Sequence, residues 1–423
     1  MNLTWVQIFR LGLVQACLGA IVVLMTSTLN RLMVVELALP VVLPGALVAL
    51  HYAVQISRPH WGHLADQGGN RTRWIIGGMA LLGLGAMGAT LAIPVLEQSF
   101  TLGIALSILA YIVIGFGVGA SGTSLLALLA TATEEARRPA AATITWLMMI
   151  AGIALTAITV GGFLDPYSHV RLLIIVGIVA LGAVALTTLA VLGIEARAIH
   201  RPAPAPLRFR DGMAEIWGDT RARHFTFYVF LSMTAYFMQE LILEPYAGLV
   251  FDFTPGQTTQ MSGAQNGGVF LGMVLVGVAA SGLKLGSLRF WVITGCIGSA
   301  FALMAIALAG ALAWSLPAMV IALGFFNGMF AVASIGAMMQ LAGEGRDGRE
   351  GARVGLWGAS QAIAAGFGGL SGAALVDVAR SLLPVADAFA AVFLLQATLF
   401  IASALLAARI MVPRLNARLV AGE

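Results

Sequence analysis

Charge is what this sequence has least of. Asp, Glu, Lys and Arg together make up 10% of its 423 residues and 60% of the chain is hydrophobic, whereas soluble domains carry about 25% charged residues. No water-soluble fold of this size hides so much apolar surface. Cysteine is nearly absent. Cys17 and Cys296 both lie inside apolar runs, which excludes a disulfide framework or a zinc-ligand spacing. Lysine is rarer still: Lys284 stands alone among 22 arginines, and the thinly spread net charge of +4 does not point to nucleic acid. Also missing are a Ser–His–Asp set, paired catalytic carboxylates within the apolar runs, and an aspartate-rich motif able to hold Mg²⁺ and a diphosphate. A chain that is not itself a catalyst is expected.

What the sequence has instead is apolar length. Runs of about 20 residues, each able to cross roughly 30 Å of hydrocarbon, recur along the chain. They predict an all-α membrane protein with twelve transmembrane helices. These lie near 11–35, 39–57, 74–94, 101–131, 142–163, 171–194, 225–248, 262–281, 290–312, 316–341, 354–378 and 388–411. The stretch Met1–Arg10 leads into the first run without a small-residue cleavage site and reads as the start of a helix. Of the 23 basic residues only Arg31, Arg171 and Arg380 fall in odd-to-even connections; the other 20 fall on the side of the two termini. Basic residues stay inside, so a multi-pass protein of a bacterial inner (intracytoplasmic) membrane with both termini cytoplasmic is expected.

The runs fall into two sixes. Residues 1–194 form a first six-helix bundle and 225–411 a second. A linker at 195–224 joins them, with alternating Pro202, Pro204 and Pro206 and then a short amphipathic helix around Leu207, Met213, Ile216 and Trp217; 412–423 is a tail. The halves repeat weakly. At an offset of about 209, "GFGVGASG" from Gly115 meets "GFFNGMFA" from Gly324, and Asn30–Arg31 meets Gln239–Glu240. At an offset of 217, Gly69, Trp74 and Gly78 meet Gly286, Trp291 and Gly295. Such duplication marks transporter-type folds. The glycines of the first segment pass once through a G-x-G-x-x-G pattern, but inside an apolar run they serve helix packing rather than a nucleotide.

The turn "RPHWGHLADQGGNRTRW" joins helices two and three. Its Gly62, Leu64, Ala65, Asp66, Gly69 and Arg71 resemble the signature loop of the major facilitator superfamily, although Gln67 and Asn70 stand where that family usually has arginine. The resemblance implies a major facilitator fold of two pseudo-symmetric six-helix halves. Gly62 suits a tight turn and Asp66 a helix N-terminus, while Arg71 and Arg73 are expected at anionic headgroups. His60 and His63 lack the further converging ligands that a metal would need. No metal site is expected.

Four further segments narrow the resemblance: "GLVQACLGAIVVLMTSTLNRLMVVELALP" from Gly12, "ALVALHYAVQISRPHWGHLAD" from Ala46, "RWIIGGMA" from Arg73 and "MQELILEPYAG" from Met238. They are similar to the PucC/LhaA family of phototrophic bacteria over nearly the whole chain, with Glu240 where that family more often has aspartate. The resemblance implies a role in bacteriochlorophyll biosynthesis and light-harvesting assembly. The implied cargo is bacteriochlorophyll or a prenylated precursor. The implied partners are membrane lipid, the tetrapyrrole pigment itself, and bacteriochlorophyll synthase, geranylgeranyl reductase or the light-harvesting apoproteins.

Charges inside spans are functional or paired. Arg31 and Glu36 fall at one end of helix one, Glu240 and Glu244 toward the same end of helix seven, and the repeat superposes Arg31 on Glu240. An ion pair from Arg31 to Glu240 or Glu244 is expected, as a latch or as a site for a proton or a polar group. His51, midway along helix two, is a candidate axial ligand for a chlorophyll magnesium, with hydrogen-bonded packing as the plainer reading. Asn266, Asn327 and Gln361 read as interhelical glue, and Asp377 and Asp387 as residues of the water interface. Three functions stay open: a holder or deliverer of pigment, a proton-coupled transporter of a small solute, and a scaffold for a biosynthetic enzyme.

Overall fold

A backbone crossing hydrocarbon must satisfy its own hydrogen bonds, which leaves an apolar run the helix. The structure is a computed structural model and describes residues 3–58, 61, 70–134, 137–195, 218, 220–312, 314–343 and 350–411. Twelve apolar helical segments occur among them, and no strand. They are α1 (Trp5–Glu36), α2 (Val42–Ser57), α3 (Arg71–Gln98), α4 (Phe100–Ala132), α5 (Arg138–Leu164) and α6 (His169–Val191) in the first half. The second half has α7 (Ala222–Phe251), α8 (Pro255–Val276), α9 (Leu288–Leu312), α10 (Leu316–Gly343), α11 (Glu350–Arg380) and α12 (Val385–Ile410). Eleven are long enough to cross a membrane; α2 is the shorter one. Twelve is the number that hydropathy predicts. The largest shift in position is at α8, which starts at Pro255 because Thr254 and Gln257 form a reciprocal capping box. The amphipathic linker segment, the 412–423 tail, and the loop residues Gly62, Leu64, Asp66 and Gly69 lie outside the described residues.

Each half has its own core. One is built from residues between Leu3 and Ile194, the other from residues between Ala222 and Ile410, and a small third cluster of Ile150, Val269 and Met273 joins the two halves. Val34 and Val41 sit in the second core, Leu241 in the first. The repeat is a repeat of contacts as well as letters. A Cβ added to Gly78 of α3 would lie 2.4 Å from the Ser121 amide nitrogen of α4; one added to Gly295 of α9 would lie 2.5 Å from the Phe330 nitrogen of α10. The two glycines are related by the offset of 217, and Ser121 and Phe330 by 209. Both crossings bring backbone against backbone, which only glycine permits.

Helices α1 and α7 are the most buried spans, with 61% of each apolar window covered, against 28% for α6. They are also the irregular ones. Beyond Val23, α1 is π-wound over Leu24–Leu29 and again over Leu32–Glu36. The α7 span is helical to Met238, opens into turns at 239–242, and resumes as Leu243–Phe251. Pro245 explains the opening: it has no N–H to give the carbonyl four residues back. That carbonyl, Leu241 O, instead accepts a 2.8 Å bond from Asn30 Nδ2 of α1. The two irregular stretches face each other.

Candidate functional site: the seam and cleft between α1 and α7

Four buried contacts tie the two halves along this seam. Ser27 donates to Glu244, Thr28 and Thr259 share a hydrogen bond of 3.2 Å, Asn30 reaches Leu241 O, and Arg31 Nη2 donates to Phe253 O at 2.7 Å. Two carboxylates complete it. Asp377 of α11 accepts from the Val41 and Val42 amides at 3.0 and 2.7 Å, and Asp165 after α5 accepts from Gly256 N at 3.1 Å and from the Thr254 hydroxyl. Among the described residues, these side-chain bonds between the halves gather at the arginine-poor end of the bundle. Asp377, expected at the water interface, is thus a helix cap.

The ion pair expected from Arg31 to Glu240 or Glu244 is not formed. Arg31, 3% exposed, pairs with Glu36, five residues along its own helix. The physical reason is the π-winding, which aligns residues i and i+5; an α-helical wheel separates them. Glu244 is instead held by Ser27, with Arg31 nearby but beyond ion-pair distance. The Glu240 carboxyl lies against the Thr26 hydroxyl and close to the phenols of Tyr52 and Tyr236.

His51 is buried, its Nε2 2.9 Å from the Gln55 amide nitrogen and its ring 4.6 Å from that of Tyr52. Both observations fit the packing reading, since a magnesium would have to displace Gln55. Arg71 does not reach headgroups. It is 6% exposed, its guanidinium donates to Thr131, and its amide and that of Thr72 bond the Glu195 carboxylate at 2.7 and 2.8 Å. Asn327 joins Ser299 at 2.8 Å across α9 and α10, as interhelical glue should; among the described residues, Asn266 bonds Ser262 O of its own helix. At the arginine-poor rim, Tyr167, His169 and Glu97 form a hydrogen-bonded chain with steps of 2.9 and 3.2 Å. Burial, and then the Glu97 and Glu36 carboxylates, push the Tyr167 phenol up to about 12.

Aromatic rings also meet between the halves. Tyr52 of α2 meets Phe237 of α7 edge-to-face at 6.2 Å. Phe237 continues to Tyr236 at 5.0 Å, and Tyr236 to Phe330 at 6.1 Å. Tyr52, Tyr236, Phe237 and Glu240 are all partly buried, and each contacts another across or along the seam. Aromatic faces with one carboxylate beside them suit a flat, amphiphilic molecule. Sequence reasoning found the carboxylate but neither the ring wall nor Asp165 and Ser27. Pro245, directly after Glu244, was the legible sign that α7 breaks there.

A family model described as PUCC protein matches residues 28–415. The chain belongs to the PucC family. It is 65% identical over the full length of both chains to the "Bacteriochlorophyll synthase 44.5 kDa chain" of Rhodobacter capsulatus. It is 27% identical to Protein PucC of Cereibacter sphaeroides, over 89% of this chain and 84% of that one. Among solved structures, a D-xylose–proton symporter superposes with a TM-score of 0.74 at 13% identity, covering 97% of this chain and 98% of that one. An inward-facing bacterial homologue of the human lysosomal transporter Spinster gives 0.69 at 12%, with the same coverage. At such identities the likeness is one of fold: this PucC-family chain has the two-times-six architecture of major facilitator transporters, as its signature loop implies.

Proposed function

We propose that this PucC-family protein receives and holds a bacteriochlorophyll-type tetrapyrrole, or its prenylated precursor, and passes it on without chemical change. The observation that carries the reading is the partly buried ring wall of Tyr52, Phe237 and Tyr236 with Glu240 beside it. A macrocycle stacks on such rings, while the carboxyl offers a polar contact to its central metal or its side groups. The full-length relative that bears the name of a bacteriochlorophyll synthase chain supports the choice of cargo. It equally supports work beside that synthase; a geranylgeranyl reductase and the light-harvesting apoproteins are the further partners that the resemblance to the family implies. The lopsided distribution of arginine supports an inner-membrane protein with both termini in the cytoplasm.

A second reading has its own observation. Glu240 and Glu244 flank the break in α7, where transporters carry coupling ions, so the same place would suit proton-coupled movement of a small solute. Purification from the pigmented host in mild detergent separates the readings. Tetrapyrrole absorption travelling with the protein is expected. A colourless protein with proton-driven uptake in liposomes would favour the second, and a colourless protein bound to synthase or reductase a pure scaffold.

A further inference from the structure

Glu244 is an incompletely satisfied carboxyl in the seam. It is 3% exposed and stands in the first turn of the Leu243–Phe251 piece, whose N-terminal dipole favours the ionised form. Its Oε1 accepts from Ser27, but its Oε2 is buried without a hydrogen-bond partner. Arg31, the cation beside it, turns its two terminal nitrogens to Glu36 and Phe253 O and not to Glu244, and its buried Nε has no hydrogen-bond partner. Two α8 hydroxyls, Thr258 and Ser262, stand against the same carboxyl. Thr258 also donates to Pro255 O at 3.1 Å, which leaves its oxygen free to accept. A buried carboxylate oxygen without a partner is costly unless something positive lies beside it.

We propose that Glu244, Ser27, Thr258 and Ser262 form a binding site for a small monovalent cation of sodium's chemistry. The donors are all hard oxygens. They come from α1 of one half and from α7 and α8 of the other, beside the interrupted stretches of α1 and α7, where helix breaks build ion sites in other transporter folds. A cation there joins the halves at the arginine-poor end, so its binding stabilises the closed seam.

The test uses the purified full chain in lipid nanodiscs, melted in sodium, potassium or choline chloride at matched ionic strength and over a pH series. Sodium is expected to raise the melting temperature saturably by about 2–4 °C over choline. E244Q should abolish that rise. S262A and T258V keep the carboxylate and should raise the half-saturating sodium concentration about tenfold, equivalent to roughly 1.4 kcal/mol; they carry the test should E244Q fail to fold. Equal melting in all three salts would overturn the proposal, as would a melting temperature that follows pH and ignores sodium.

Discussion

Asp165 and Asp377 stand at corresponding places in the two halves and perform the same task on opposite partners. Asp165 ends α5 of the first half and caps the start of α8 in the second; Asp377, near the end of α11 in the second half, caps the start of α2 in the first. Each carboxylate neutralises the positive end of a helix across the seam and satisfies amides that would otherwise be orphaned. The two caps are therefore a matched pair of fasteners on the arginine-poor end. D165A and D377A should each destabilise by about 1–2 kcal/mol, the usual range for a lost cap. The double variant should open that end: a cysteine at Thr28, in a background lacking Cys17 and Cys296, should react faster with an impermeant thiol reagent than it does with both aspartates present. Unchanged labelling would remove the fastening role.

Arg31 answers to Glu36, not to the second half's carboxylates. Exchanging Arg31 and Glu36 should restore much of the stability lost in R31E, whereas exchanging Arg31 and Glu240 should not. R31A should lose about 1–3 kcal/mol, less than breaking a fully buried pair because Glu36 is 40% exposed. R31K should fall short of wild type, since an ammonium is a point charge without the guanidinium's fork, which serves both Glu36 and Phe253 O. Thermal melts of the variants decide it.

The glycine crossings predict matched damage in the two halves. G78A and G295A drive a methyl into backbone and should each destabilise by about 1–3 kcal/mol, the range for overpacking. G77A, where a Cβ meets nothing within 4 Å, should be near neutral. Denaturant or thermal unfolding in detergent compares the three.

How much of this was legible beforehand follows from which interactions are local. Helix number and duplication are written in hydropathy and in glycine spacing, because each apolar run must satisfy itself. The π-winding of α1 is not, since Leu24–Glu36 shows no residue that forces it and the winding is selected by what Ser27, Asn30 and Arg31 meet across the seam. The internal repeat, which superposes Arg31 on Glu240, carries no sign of that winding and so passes over Glu36. The cap made by Asp377 was hidden for the same reason: a place near a helix end suggests water, and only the packed partner reveals which amides it bonds. The ring wall of Tyr52 and Phe237 joins residues of different halves, which no local pattern brings together.

Tyr167 gives a pH dependence of known sign. Its phenol is pushed up to about 12 from an ordinary value of about 10, so the folded state keeps a proton that the unfolded state releases first. The associated stability is present below pH 10 and is lost as pH climbs through 12. Alkaline melts should show this limb in the wild type and a flatter one in Y167F.

Cargo binding is the most direct test of the functional account. Bacteriochlorophyll titrated into the purified chain in nanodiscs, followed by absorption, should saturate near one pigment per protein, and Y52A, F237A and E240Q should each weaken it about tenfold or more. Absence of saturable binding, or binding that ignores all three substitutions, would contradict it.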